Sequence, residues 1–382
     1  MIPYGRQEIT QSDIDAVTQV LQSDFLTQGP IVPKFEKAVS DYCGVKYGVA
    51  TNSATSALHI ACLALGLKDG DYLWTSPISF VASANCGLYC GAKIDFVDID
   101  PETFNLSTQA LEEKLIQAEK VNKLPKILVP VHFAGQSCEM DKIYKLSQQY
   151  GFKIIEDASH AIGGKYKNKP IGNCKYSDIT IFSFHPVKII TTGEGGMAVT
   201  NSNRLAESMF LLRSHGVTRD TNLMTHEPDG DWYYQQIELG YNYRMNDIQA
   251  ALGVSQMVRL DEYIQKRQDL AKKYNAEFNG CPIKSQLQHN DVNSSYHLYV
   301  IRVKASEHKR IFNQLRNNSI NVNLHYIPIY RQPFFQSFGY NSKDYPNSEK
   351  YYSQAITLPI YPTLKSDEHD KIIFTLKSLV NQ

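Results

Sequence analysis

Hydrophobic and polar positions follow two alternating rhythms from Tyr47 to Thr200. Short, nearly continuous apolar runs lie at 47–51, 72–77, 93–99, 126–133, 153–158, 178–184 and 196–200. Between them, apolar residues recur at helical spacing near 54–66, 79–90, 108–119 and 139–150. Runs of this length without internal alternation suit strands buried on both faces. Strands that alternate with helices predict a mostly parallel, seven-stranded sheet flanked by helices. Before this region, an amphipathic helix is expected from about Gln11 to Gln22. A loop, SDFLTQGP, and a helix from about Pro33 follow, and the loop reads as a connector. After it, Ile248–Phe278 reads as one long amphipathic helix with room for a kink. A strand at 294–303, a helix at 306–318, a second strand at 320–328 and a closing helix after Ser366 complete a smaller α+β unit. The expected division is a large domain at 1–255, then the linking helix and small domain at 256–382.

Composition narrows the function only by exclusion. The 39 basic and 39 acidic residues cancel, and no basic run is interleaved with aromatics, so nucleic acid is not an expected partner. No stretch approaches the roughly twenty apolar residues of a membrane span. The N-terminus shows no apolar core of signal-peptide length, and the seven cysteines are scattered without a paired CxxC. A cytoplasmic protein with reduced thiols and no bound metal is the expectation.

In open sheets of this kind, ligands bind beyond the carboxyl ends of the strands. The first end is Asn52-Ser53-Ala54-Thr55, which opens a helix. Free backbone N–H groups and the helix dipole would suit a phosphate there, and the same residues also suit a plain N-cap. The second end carries Phe80, which would cover a flat ring or join the core. Asp157 and His160 emerge from the fifth strand, and a carboxylate at that depth needs a cation or several hydrogen bonds. His132 and His185 stand alone on their strands and read as structural. The sixth end presents Ser183, His185 and Lys188 ahead of Gly193, Gly195 and Gly196. A pyridine aldehyde phosphate would use this whole set. Lysine forms the imine, aspartate keeps the ring nitrogen protonated, the helix start and a serine hold the phosphate, and an aromatic covers the ring. Further on, Asn246 and Asp247 suit the cap of the next helix with Met245 as its staple. His325, Tyr326 and Tyr330 would line a substrate cleft or close the small core.

The segments NSATSAL, SPISFVASAN, EDASHAIG, SFHPVK, TTGEGG and GYNYR, in this order and spacing, resemble the sugar aminotransferases of the DegT/DnrJ/EryC1/StrS family, over essentially the whole chain. The resemblance implies the fold-type I architecture and pyridoxal 5′-phosphate as cofactor. It implies that Lys188 carries the cofactor and Asp157 pairs with the pyridine nitrogen. His160 would lie near the ring hydroxyl and Phe80 on the ring. Ala54, Thr55 and Ser183 would hold the phosphate. Asn242 would reach the phosphate in a neighbouring subunit, making a homodimer with shared sites. Tyr4, the segment Asp24, Phe25, Leu26 and Thr27, and the segment His325, Tyr326, Ile327 and Pro328 would contact the nucleotide sugar. Within the family, SDFLTQGP, TNSATSALHIACLALG and HYIPIY are most like members that act on a UDP-linked 4-keto-6-deoxy-N-acetylhexosamine of L-altro configuration, with L-glutamate as amine donor. Another 4-keto or 3-keto nucleotide sugar is the alternative substrate. A class of the family that eliminates water carries histidine at the lysine position, and this chain keeps Lys188. A non-catalytic nucleotide-sugar-binding protein is the reading outside enzymology.

Overall fold

A computed structural model describes residues 1–381. The chain opens with two helices, α1 (Gln11–Leu21) and α2 (Ile31–Cys43), and then enters the alternating region. There follow β1 (Tyr47–Thr51), α3 (Ala54–Ala64), β2 (Tyr72–Thr75), α4 (Ala82–Tyr89), β3 (Lys93–Phe96), α5 (Thr108–Lys120), β4 (Ile127–Val129), α6 (Met140–Tyr150) and β5 (Lys153–Asp157). A small hairpin, β6 (Lys165–Tyr166) and β7 (Lys169–Pro170), precedes β8 (Ile179–Ser183), β9 (Gly196–Thr200) and α7 (Asn203–Arg213).

The main sheet has seven strands in the order β1-β9-β8-β5-β4-β2-β3. The block β8-β5-β4-β2-β3 is parallel, and β9 runs antiparallel to both neighbours. Each strand falls inside one of the apolar runs; β1 and β9 fill theirs and the other five are shorter. β2 and β4 stop just before Ser76-Pro77 and Pro130, since proline cannot extend a central ladder. Helices cover both faces. One core joins α3, α4 and α7 to the sheet through Leu58, Ile60, Ile181 and Met209, and another joins α2 and the region after β5 through Phe35, Ile162 and Phe182. Because the strands are parallel, the carboxyl ends of β2, β4, β5 and β8 open on one side of the sheet.

The segment 217–236 forms a long hairpin closed by β10 (Val217–Thr218) and β11 (Gln235–Gln236). The expected single linking helix is two, α8 (Asp247–Met257) and α9 (Leu260–Glu277). The break has a cause. The Arg259 guanidinium turns inward to both carboxylate oxygens of buried Asp13, at 2.7 Å each, while Val258 is left in solvent.

The smaller unit holds a three-stranded antiparallel sheet of β12 (Lys284–Ser285), β14 (Tyr299–Arg302) and β15 (Ala355–Leu358), whereas β13 (Val292–Asn293) pairs with β6. Helix α10 (Ala305–Asn317) and a closing helix, Ser366–Val380, pack on that sheet, and Ile2 joins their core. The strand expected at 320–328 does not form. β15, all four residues buried, takes the place beside β14, so 320–328 makes only single bridges, Ile320 to Ile2 and Asn323 to Thr357. It then runs on as irregular chain toward the main sheet.

Candidate active site

The carboxyl ends of the parallel strands enclose a cleft of about 860 Å³. Its lining includes Ala54, Thr55, Phe80, Asp157, His160, Ser183, Lys188, Tyr4, His325 and Tyr326. Ten of the residues singled out from sequence therefore meet in one place. Asp24–Thr27, Asn242, Ile327 and Pro328 do not line this cleft. Asp24–Thr27 are solvent-exposed next to the start of α8, where Leu26 O accepts from Asp247 N at 3.0 Å. Asn242 is exposed too, its backbone tied to Ser214 and its carbonyl near the Asn52 amide.

Lys188 sits in the loop that joins β8 to β9. Phe184 N donates to Gly195 O at 2.9 Å and Thr192 N to Phe184 O at 3.0 Å, so the loop closes on itself and turns Lys188 toward the strand ends. Burial lowers the amine from its usual 10.5 to about 8, against a smaller upward pull from Asp157. The glycines serve the backbone here. Gly193 takes a left-handed turn at φ +80, and a Cβ on Gly196 would lie 2.4 Å from Ala54 N. That contact seats β9 directly against the start of α3.

The start of α3 is a built anion cradle. Ser53 caps it by accepting from Ser56 N at 3.1 Å, and Asn52 is held by Tyr243 O and by the Ser56 hydroxyl. With the cap assigned to Ser53, the N–H groups of Ala54 and Thr55 at the first helical positions have no partner within the helix. Ser183 stands opposite at the end of β8, so the cap is formed and donors remain free beside it.

Asp157 is 5% exposed. One carboxylate oxygen accepts from Ser83 Oγ at 2.7 Å, the other from Ser159 Oγ at 2.6 Å and Ser159 N at 3.2 Å. Ser83 and Ser159 were not anticipated from sequence. The only cue is their place in SPISFVASAN and EDASHAIG. Among the described residues no cation lies within ion-pair distance of Asp157. A buried carboxylate so arranged is ready for a cationic ligand.

The remaining groups are neutral and aromatic. His160 Nδ1 accepts from Ala134 N at 3.3 Å and its Nε2 meets Tyr326 Oη at 3.1 Å. Burial, then the nearby Lys188 and His325, hold His160 far below its usual pKa. His325 is pushed down to about 3 by burial and Lys188, and it bonds Thr357 Oγ1 at 2.9 Å. Phe80 is 59% exposed at the mouth rather than part of the core. His132 is structural, as read: Nε2 bonds buried Glu156 at 2.6 Å and Nδ1 accepts from Cys138 N. His185 and Glu194 lie 3.9 Å apart at the rim. A second groove, about 1000 Å³ along the edge strand β3, carries the Asp95–Lys114 ion pair and several aromatics but no comparable set.

A phosphorylated pyridine aldehyde fits these residues in charge and shape. The cradle suits its phosphate, unpaired Asp157 its ring cation, and the lowered amine its aldehyde. Comparison with known proteins agrees. Residues 7–377 match the model of the DegT/DnrJ/EryC1/StrS aminotransferase family. The UDP-4-amino-4,6-dideoxy-N-acetyl-beta-L-altrosamine transaminase of Campylobacter jejuni is 37% identical over 387 residues, covering 100% of this chain and 98% of that one. PseC of Helicobacter pylori, an aminotransferase of pseudaminic acid biosynthesis, superposes with a TM-score of 0.90 at 32% identity, covering 100% and 99% of the two chains. A chain described as a sugar aminotransferase, Spr1654 of Streptococcus pneumoniae in its PMP-form, superposes with a TM-score of 0.90 at 29% identity, covering 100% and 99%.

Proposed function

This chain belongs to the DegT/DnrJ/EryC1/StrS aminotransferase family, and on that premise we propose that it moves the amino group of L-glutamate to C4 of a UDP-linked 4-keto-6-deoxy-N-acetylhexosamine. The product would be UDP-4-amino-4,6-dideoxy-N-acetyl-beta-L-altrosamine. One observation carries the chemistry: a lowered amine, Lys188, shares a cleft with a buried carboxylate, Asp157, that has no cation of its own. The activities of its relatives support the substrate.

Bound in the cleft, pyridoxal 5′-phosphate supplies an aldehyde that takes up amines and a protonated ring that accepts the electron pair left when carbon loses a proton. Ala54 N, the Thr55 N–H and hydroxyl, and Ser183 Oγ would hold its phosphate. Asp157 keeps a proton on the ring nitrogen, and Ser83 and Ser159 fix the carboxylate for that purpose. Phe80 covers one face of the cleft, and His160 donates from Nε2. Lys188 Nζ moves protons. As a neutral amine it removes one from the α-carbon of glutamate, and in the return half it delivers one to C4 of the sugar. Tyr4, His325 and Tyr326 line the sugar's path.

A second copy completes the site in this reading. Asn242 and Asp24–Thr27 lie outside the chain's own cleft, with Phe25 54% and Leu26 48% exposed, as suits a homodimer surface that lends residues to its neighbour. The seven free cysteines support a reducing, cytoplasmic setting.

The test is a panel of UDP-linked 4-keto sugars with glutamate, following 2-oxoglutarate release and product configuration. The L-altro-derived 4-amino sugar is expected as the best product. Glutamate-dependent turnover on another keto sugar alone would redirect the substrate. Water loss without 2-oxoglutarate would make the protein a dehydratase, and absence of a visible band after adding the cofactor would remove the enzyme reading.

A further inference from the structure

Besides His325 and Tyr326 in the cleft wall, the smaller unit reaches the site through the short loop before β14. Leading into β14, Ser295 N donates to Gly135 O at 3.2 Å and Leu298 N to Ala134 O at 3.3 Å. Ser295 Oγ donates to His160 O at 2.8 Å. The fit leaves no slack at Gly135, where φ is +102 and a Cβ would lie 2.4 Å from Ser295 Oγ. Beside this contact the His297 ring stands 4.4 Å from the His160 ring, tilted 47°. Arg267 of α9 braces the loop from behind, donating to the carbonyls of Tyr296, His297 and Ile360 at 3.3, 3.3 and 2.9 Å.

His297 is 5% exposed, and its buried Nδ1 has no hydrogen-bond partner among the described residues. It therefore meets His160 ring against ring, at that tilt, and not through Nδ1. The titratable groups that face it are His160, Lys188, Arg267 and His325, with no carboxylate among them, and after burial these keep it neutral. His160 meets the same conditions. Its Nδ1 accepts from Ala134 N, so its proton resides on Nε2, which faces the cleft. Ala134 is itself anchored by Leu298. One loop of the smaller unit thus secures the donor that selects the tautomer, the backbone of His160 and the face of its ring.

We propose that Ser295 and His297 are positioning residues for His160, holding it as a neutral Nε2–H ring aimed into the cleft and tying the site to the placement of the smaller unit. The geometry stands alone, while its consequence for pyridoxal phosphate rests on the function proposed above.

The experiment uses the full-length, cofactor-free protein with ¹⁵N-histidine and long-range ¹H–¹⁵N spectra from pH 6 to 9. A constant Nε2–H signature is expected for His160. In His297→Ala and Ser295→Ala it should change to a mixture of tautomers, and His297→Phe, which restores a flat neutral face, should return it to the wild-type pattern. As a second readout, pyridoxal phosphate titrated by absorbance should bind at least fivefold more weakly to the two alanine variants and within twofold of wild type to His297→Phe. Thermal melts identify any variant that has lost its fold, and Ser295→Ala, which deletes one hydrogen bond, stands in if His297→Ala is lost. An unchanged His160 tautomer in the folded alanine variants, or no recovery in His297→Phe, overturns the proposal. If the tautomers shift as expected but wild type takes up no pyridoxal phosphate, the positioning role is upheld and the cofactor reading fails.

Discussion

Lys188 is unfavourable for the fold and suited to the proposed chemistry. A lysine whose folded pKa is about 8 instead of 10.5 loses stability wherever its charge must be buried. Below pH 8 both folded and unfolded chains carry the proton, so the cost is fully present. Between pH 8 and 10.5 the unfolded chain binds a proton that the folded one does not, and stability rises with pH. Lys188→Met should therefore stabilise the cofactor-free protein at pH 7 by on the order of 2 kcal/mol after allowing for solvent in the cleft, read as a higher melting temperature. The advantage should shrink between pH 8 and 10.5 and vanish above that. Equal melting temperatures at pH 7 would show that the amine is not desolvated. Asp157 gives a complementary case. If it only packed, Asp157→Asn would cost about 1 kcal/mol, one neutral hydrogen bond. As the group that holds the ring proton it should cost roughly a hundredfold or more in turnover, with the fold intact. Steady-state kinetics alongside circular dichroism would separate the two, and a loss under tenfold would count against the role.

Elements explain how much could be read in advance. The seven strands of the main sheet were legible because each is a short apolar run whose partners are other such runs, and burial on both faces leaves a strong mark. The strand expected at 320–328 was not, because the place beside β14 goes to Ala355–Leu358, and no local pattern announces that pairing. Asp247 shows the same limit. It sits where a helix cap belongs, but the capping box is made by Asn246 with Gln249. The Asp247 carboxylate instead binds the backbone N–H groups of Gly29, Ile31 and Val32, more than two hundred positions away. Lys188, Asp157 and the α3 cradle were legible because their chemistry is carried by residues at the strand ends themselves. Gly196 tests how the elements make that cradle. A methyl group there meets backbone atoms of Ser53 and Ala54 at 2.4–2.5 Å, which no side chain can relieve. Gly196→Ala should destabilise by about 1–3 kcal/mol and weaken phosphate-dependent cofactor binding more than tenfold, since the N–H groups move. Pyridoxal without its phosphate should bind wild type and variant alike. A proportional loss for both compounds would mean that the cradle does not hold the phosphate.

At the scale of the whole molecule, the cleft of one chain lacks some of what it is expected to use. Asn242 lies exposed in the extended segment after the 217–236 hairpin and does not line the cleft of its own chain. Phe25, Leu26, Trp232 and Leu239 are each at least 48% exposed, which is much apolar area for a free surface. If a second copy covers it by two-fold symmetry, each cleft receives Lys188 from one chain and Asn242 from the other. Two inactive variants should then rescue each other. Co-expressed Lys188→Ala and Asn242→Ala chains would pair at random, and half of the dimers would be mixed. In a mixed dimer one cleft inherits both lesions and the other neither, so recovery should approach about a quarter of wild-type turnover. With both residues in the same chain's site, each cleft keeps its own lesion and mixing recovers nothing. Affinity tags of two kinds allow the mixed dimer to be isolated, and an isolated mixed dimer with no more activity than its parents would rule out a shared site.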